Sequence, residues 1–144
     1  MLFCRTITSI ALLALLPLAA FAQSDTKPDA GIHIELNTIN DTGTACRISF
    51  VATNTTDADI EQAVFETVIF DSAGSVMTLS LFDFRDLPPG RPRVRQFDVP
   101  GMTCDAIGQA LINGANTCTV SGAESDLCNA SLSLSSRIDV ELLG

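Results

Sequence analysis

From residue 32 onward the apolar positions recur with a period of two. Ile32, Ile34 and Leu36 alternate with His33, Glu35 and Asn37, as in a strand with one buried face, because successive side chains leave a strand on opposite sides. Asn40-Asp-Thr-Gly43 supplies turn chemistry, and Cys46, Ile48 and Phe50 then alternate with Arg47 and Ser49 in a second predicted strand that ends at Asn54-Thr-Thr-Asp57. A third is predicted from about Ala63 to Phe70, a hairpin at Asp71-Ser-Ala-Gly74, and a fourth strand from Val76 to Phe84. Leu87-Pro-Pro-Gly90 breaks the chain, and Arg93 to Val99 reads as a fifth strand. Ala106 to Asn113 is expected to open with a helical turn before a sixth strand, Asn116 to Asn129 to be a polar loop, and Leu132, Leu134, Ile138, Val140 and Leu142 to form a seventh. Seven short strands with turns every 8–12 residues predict an all-β, immunoglobulin-like antiparallel β-sandwich.

The first 22 residues follow a different rule. Arg5 precedes the apolar run Ile10 to Ala20, and Ala20-Phe-Ala22 supplies a small-x-small cleavage pattern. The run is shorter than the roughly 20 apolar residues of a membrane span. The expected organisation is therefore a cleaved signal peptide over 1–22, a polar disordered lead-in over 23–30 and one domain over 31–144. Such a chain is exported to the periplasm or beyond, and after cleavage it has no membrane-inserting segment.

Export makes the cysteines informative. Cys4 leaves with the leader, and Cys46, Cys104, Cys118 and Cys128 remain to meet an oxidising compartment. If consecutive strands run up and down, Cys46 and Cys104 fall at one end of the sandwich and Cys118 and Cys128 at the other. Bridged α-carbons must lie within about 7 Å, so the pairing expected is Cys46–Cys104 and Cys118–Cys128. Closing the first loop stabilises by about 4 kcal/mol on the loop-entropy relation.

Part of the chain resembles a known domain family. Val51-Ala-Thr-Asn54-Thr-Thr, Ala63-Val-Phe65, Ile69-Phe70-Asp71-Ser-Ala-Gly74-Ser-Val76, Leu87-Pro-Pro-Gly90 and Phe97 resemble the motifs of FxLYD-type domains over about residues 45–100, with Phe70 where that family usually has tyrosine. The resemblance implies an immunoglobulin-like sandwich of exported bacterial proteins, with no catalytic residues to carry over.

Charge narrows the partners. Eight Lys and Arg against 17 Asp and Glu give a net charge of −9, which disfavours nucleic acid and anionic lipid. Trp and Tyr are absent, so the aromatic core must be built from Phe.

The candidate chemistry is thin. His33 is the only histidine and falls on the polar face of its strand, so no H-x-x-x-H pair exists. Gly101-Met-Thr-Cys104 resembles the start of a copper-transfer loop, but Ile107 stands where the second thiolate would be. The acids Asp57, Asp59, Glu61, Asp83 and Asp86 sit beside turns, where carboxylates solvate or cap the chain. Asn40, Asn54 and Asn129 each begin a glycosylation sequon.

Arg91, Arg93 and Arg95 stand out in so acidic a chain. Their spacing of two puts them on one strand face, either pairing with Asp83, Asp86 or Glu66 or forming a docking patch for a partner. The sequence thus predicts no catalytic residues, no metal site and no cofactor. It predicts a periplasmic binding or assembly module for another cell-envelope protein. The alternative is a small-ligand or metal carrier using His33, Met102 or the carboxylates.

Overall fold

The computed structural model describes residues 29–144. The predicted signal peptide and most of the lead-in lie outside the described residues. Strands β1 (Ile32–Asp41), β2 (Ala45–Asn54), β3 (Ile60–Asp71), β4 (Val76–Leu87) and β5 (Arg93–Pro100) follow the alternation closely. A 3-10 turn at Cys104–Ala106 leads into β6 (Ile107–Val120). Then come β7 (Ala123–Glu124), a single helical turn α1 (Leu127–Ala130), β8 (Leu132–Ser136) and β9 (Glu141–Leu143).

The strands form two sheets. One has the order β5-β2-β1-β8; the other has β4-β3-β6-β7, with β9 also bonded to β6. A single core fills the space between them. Ile32, Ile34, Leu36, Ile48 and Phe50 face Phe65, Ile69, Phe82, Phe84 and Ile112. Its centre is a Phe cluster: Phe82 and Phe97 stack with centroids 4.2 Å apart, and Phe84 meets Phe65 edge-on at 5.5 Å. Such pairs add to simple area burial. With no Tyr or Trp, this cluster carries no polar tip that must find a partner.

The all-β sandwich stands as predicted, with differences after residue 100. The predicted loop 116–129 is instead the end of β6, a hairpin and α1. Ser121 (φ 52°) and Gly122 (φ 74°) form a two-residue turn with both φ positive, the geometry that matches strand twist in tight hairpins. The predicted seventh strand is two strands. β8 runs parallel to β1, and β9 runs parallel to β6 in the other sheet. Between them Ser136 Oγ bonds the carbonyls of Ile138 (3.0 Å) and Val140 (2.6 Å), turning the chain from one sheet to the other. The sheets are therefore mixed, and only the pairs made among β1–β7 are all antiparallel.

Both disulfides pair as strand parity predicts: Cys46–Cys104 and Cys118–Cys128. The first ties the start of β2 to the segment after β5. The second ties β6 to α1, where the chain crosses between sheets. Two bridges suit an oxidising environment. Among the described residues no helix is long and apolar enough to cross a membrane.

Candidate docking surface

Along one side of the sandwich the two sheets end in β4 and β5, and each strand pairs with a neighbour on one side only. Arg93 and Arg95 share a face of β5, as their spacing predicts, and it is the inward face that also carries Phe97 and Val99. Arg95 reaches across to β4, where its guanidinium donates to the carbonyls of Phe84 (2.5 Å) and Asp86 (3.1 Å). Both arginines also pair with the Asp86 carboxylate, at 3.0 Å and 3.2 Å. Only 16% of the Arg95 side chain is exposed. The hydrogen bond from Arg93, with the two positive charges, holds the Asp86 carboxyl below the usual carboxylate range. Arg91 lies before β5, exposed, and makes no ion pair among the described residues. Arg93 and Arg95 thus stitch the two edges together, and their donors close the second half of β4.

The first half of β4 has no such cover. Val76 (64% exposed), Met77 (37%), Leu79 (54%) and Leu81 (54%) are four of the five large apolar side chains left exposed, the fifth being Val94 on β5. Exposed edges are ordinarily blunted by charge, proline or bulges, and the run from Val76 to Leu81 contains neither charge nor proline.

Behind this edge, the outer face of its sheet is apolar too. Leu79 stands opposite Val68, Val68 opposite Leu111, and Leu111 opposite Leu143. The result is one apolar row across four strands, on the face turned away from the core. The other sheet presents the reverse. Its outer face carries Ser133 and Ser135 beside His33 and Glu35, Ser49 bonded to Gln96 at 2.9 Å, and Arg47 paired bidentately with Asp98 at 2.7 and 2.9 Å. The Arg47 hydrogen bonds lower the Asp98 carboxyl and raise the guanidinium in turn.

Two clefts bracket the exposed half of β4. At one end, Met77 and Met102 line a cleft of about 420 Å³ with Gly43, Thr44, Gly101, Thr103 and Ala106. At the other, Leu81, Val94 and Phe97 line a groove of about 470 Å³ between β4 and β5. This surface escaped the sequence reading. Its signal was there, since Leu79 and Leu81 occupy one parity and Phe82 and Phe84 the other. A strand apolar on both faces belongs in a buried position, and β4 is an edge.

The remaining candidates have local roles. His33 Nε2 lies 3.2 Å from Thr55 Oγ1 on a half-buried polar face. Asn54, fully buried, donates to the carbonyls of Ala58 (2.7 Å) and Leu87 (2.8 Å) and accepts from Thr56. The folded chain therefore offers no glycan acceptor there. Asp71 accepts from the amides of Ala73 and Ser75 and fastens its hairpin. Among the described residues no three His, Cys, Asp or Glu side chains gather as a metal site would require.

Fold and surface together define a disulfide-stapled β-sandwich with one apolar sheet face and a half-open edge. No family model matches the chain, and no curated protein matches it. It is similar in structure to IrmA from Escherichia coli, with a TM-score of 0.60 at 14% identity, over 72% of this chain and 90% of that one. That likeness is one of fold.

Proposed function

We propose that this chain is an exported, non-catalytic binding module that docks on another cell-envelope protein through β4 and the outer face of the sheet behind it. The single observation carrying the reading is the gathering of exposed Val76, Met77, Leu79 and Leu81 on one edge strand. An apolar patch of this kind on an otherwise acidic, soluble-looking surface marks an interaction site, and an open strand edge adds main-chain donors and acceptors to it. The leader-like residues 1–22 and the two disulfides support work in the periplasm or outside the cell. The FxLYD-type motifs support a module without chemistry of its own. In this reading Arg93 and Arg95 delimit the docking edge by closing its far half.

Photocrosslinking in the native envelope tests it. A photoreactive residue at position 79 or 81 of the mature, oxidised protein is expected to give one dominant adduct with a second envelope protein. The same residue at position 51, on the polar face of the other sheet, is expected to give none. Adducts from position 51 equal to those from 79 and 81 would count against the proposal, as would their absence at all three.

A further inference from the structure

We infer that what β4 accepts is an extended segment of another protein in which alternating apolar residues are flanked by Lys or Arg, added as a new strand on Val76–Leu81. This rests on the docking reading above and goes further by naming the partner's chemistry. Six residues of free edge span about 20 Å, enough to pair a segment of similar length. On the outer face, Met77, Leu79 and Leu81 recur at every second position, so an added strand must present apolar side chains at the same period to cover them. The Met77–Met102 cleft accepts one further apolar side chain at the end, and methionine walls adapt to its shape.

The flanks follow from charge. Asp71 stands where the hairpin enters β4. At the far end of the open run, Glu66 lies opposite Leu81, and Asp83 is the next residue on the same outer face. The ion pairs among the described residues are Arg47–Asp98, Arg93–Asp86 and Arg95–Asp86, so none of these three carboxylates is neutralised by a cation. Their hydrogen bonds come instead from neutral donors: Asn113 Nδ2 to Glu66, the Arg85 amide to Asp83, and two hairpin amides to Asp71. Arg85, the nearest cation in sequence, contributes its backbone and no ion pair. The open edge is thus apolar in the middle and anionic at both ends.

The same arrangement argues against a second copy of this chain as the occupant. Antiparallel pairing of two β4 edges would bring Asp71 of one copy beside Asp83 and Glu66 of the other, at both ends, between chains of net charge −9. Like charges placed directly together cost binding. A segment with basic flanks meets the opposite situation at each end.

The test uses two synthetic peptides with one alternating Thr-Val core, flanked by two Lys or by two Glu at each end, added to the oxidised mature protein. The Lys-flanked peptide is expected to slow amide exchange across Val76–Leu81 and to bind about tenfold tighter than the Glu-flanked one at low salt. Near 1 M salt, where screening acts within about 3 Å, that preference should disappear. The Glu66→Gln/Asp83→Asn double variant should keep its melting temperature and lose most of the preference. Equal affinity of both peptides overturns the inference, as does protection centred on β8 or β9. Protection of Val76–Leu81 that appears without peptide and grows with protein concentration overturns it in favour of a second copy. Crosslinks from positions 79 and 81 alongside indifferent peptides would refute the partner chemistry and leave the docking reading standing. Failure of both experiments would remove both.

Discussion

Strands β4 and β5 border the same open side of the sandwich, and they meet solvent in different ways. β5 turns Arg93 and Arg95 inward, where they pair with Asp86 and bond the carbonyls of Phe84 and Asp86. On its outer face Asp98 is held by Arg47. β4 is closed only over the half those donors reach, and its other half shows Val76, Met77, Leu79 and Leu81 to solvent. Inward-pointing charge is one of the established ways of protecting an edge. Here a single pair of arginines protects both strands over one stretch and stops short of the rest. The difference separates what stabilises this fold from what is available for binding.

The comparison can be broken or sharpened by substitution. The largest effect is expected at Phe84, which packs on Phe50, Phe65 and Phe97 beneath the closed half. Phe84→Ala should cost about 3–5 kcal/mol in urea unfolding; a loss under about 1 kcal/mol would show that this half is not where packing anchors the edge. Arg95→Met keeps most of the side-chain bulk and removes the donors. It should cost about 1–2 kcal/mol and raise amide exchange in 82–87 towards that of 76–81. Unchanged exchange there would mean the arginine is not what closes the strand.

A smaller effect is expected from acid. Asp86 has its pKa lowered in the folded state, so its stabilisation is present above the unfolded value near about 4. It is lost as pH falls through the lower folded value. Because the carboxylate is more than half exposed, solvent screening limits the effect to less than about 1 kcal/mol. Asp86→Asn should flatten the stability profile below about pH 4, and a profile as steep as the parent's would assign the acid sensitivity elsewhere. The smallest change is expected from Leu79→Lys, within about 0.5 kcal/mol in stability. It should nonetheless abolish crosslinking from position 81. A large destabilisation would mean the open half is structural after all.

Much of the architecture was legible along the chain. Ile32, Ile34 and Leu36, then Cys46, Ile48 and Phe50, alternate because each strand has one face on the core, and local period carries that information directly. Strand parity carried the disulfide pairing, since a bridge cannot span the height of the sandwich. The tail was harder. Leu132 and Leu134 share an alternation with Ile138, Val140 and Leu142, but period says nothing about which sheet a residue joins. The Ser136 turn sends them to different ones. For the arginines, parity with Phe97 and Val99 already implied an inward face; what it could not supply was Asp86 and two carbonyls on another sheet waiting there.

The amino-acid sequence by itself determined the strands β1 to β5, the burial of their alternate residues, the staple pattern and the Phe-only core. All of these depend on neighbours a few residues away or on end-to-end parity. Only the tertiary structure decided that β8 and β9 run parallel to strands of opposite sheets, that Arg95 closes half of β4, and that Leu79 and Leu81 are left at an edge. Those outcomes depend on which strands become neighbours across long separations. Hydrophobic side chains drive burial without direction, so an apolar residue's exposure is settled by the sheet order around it.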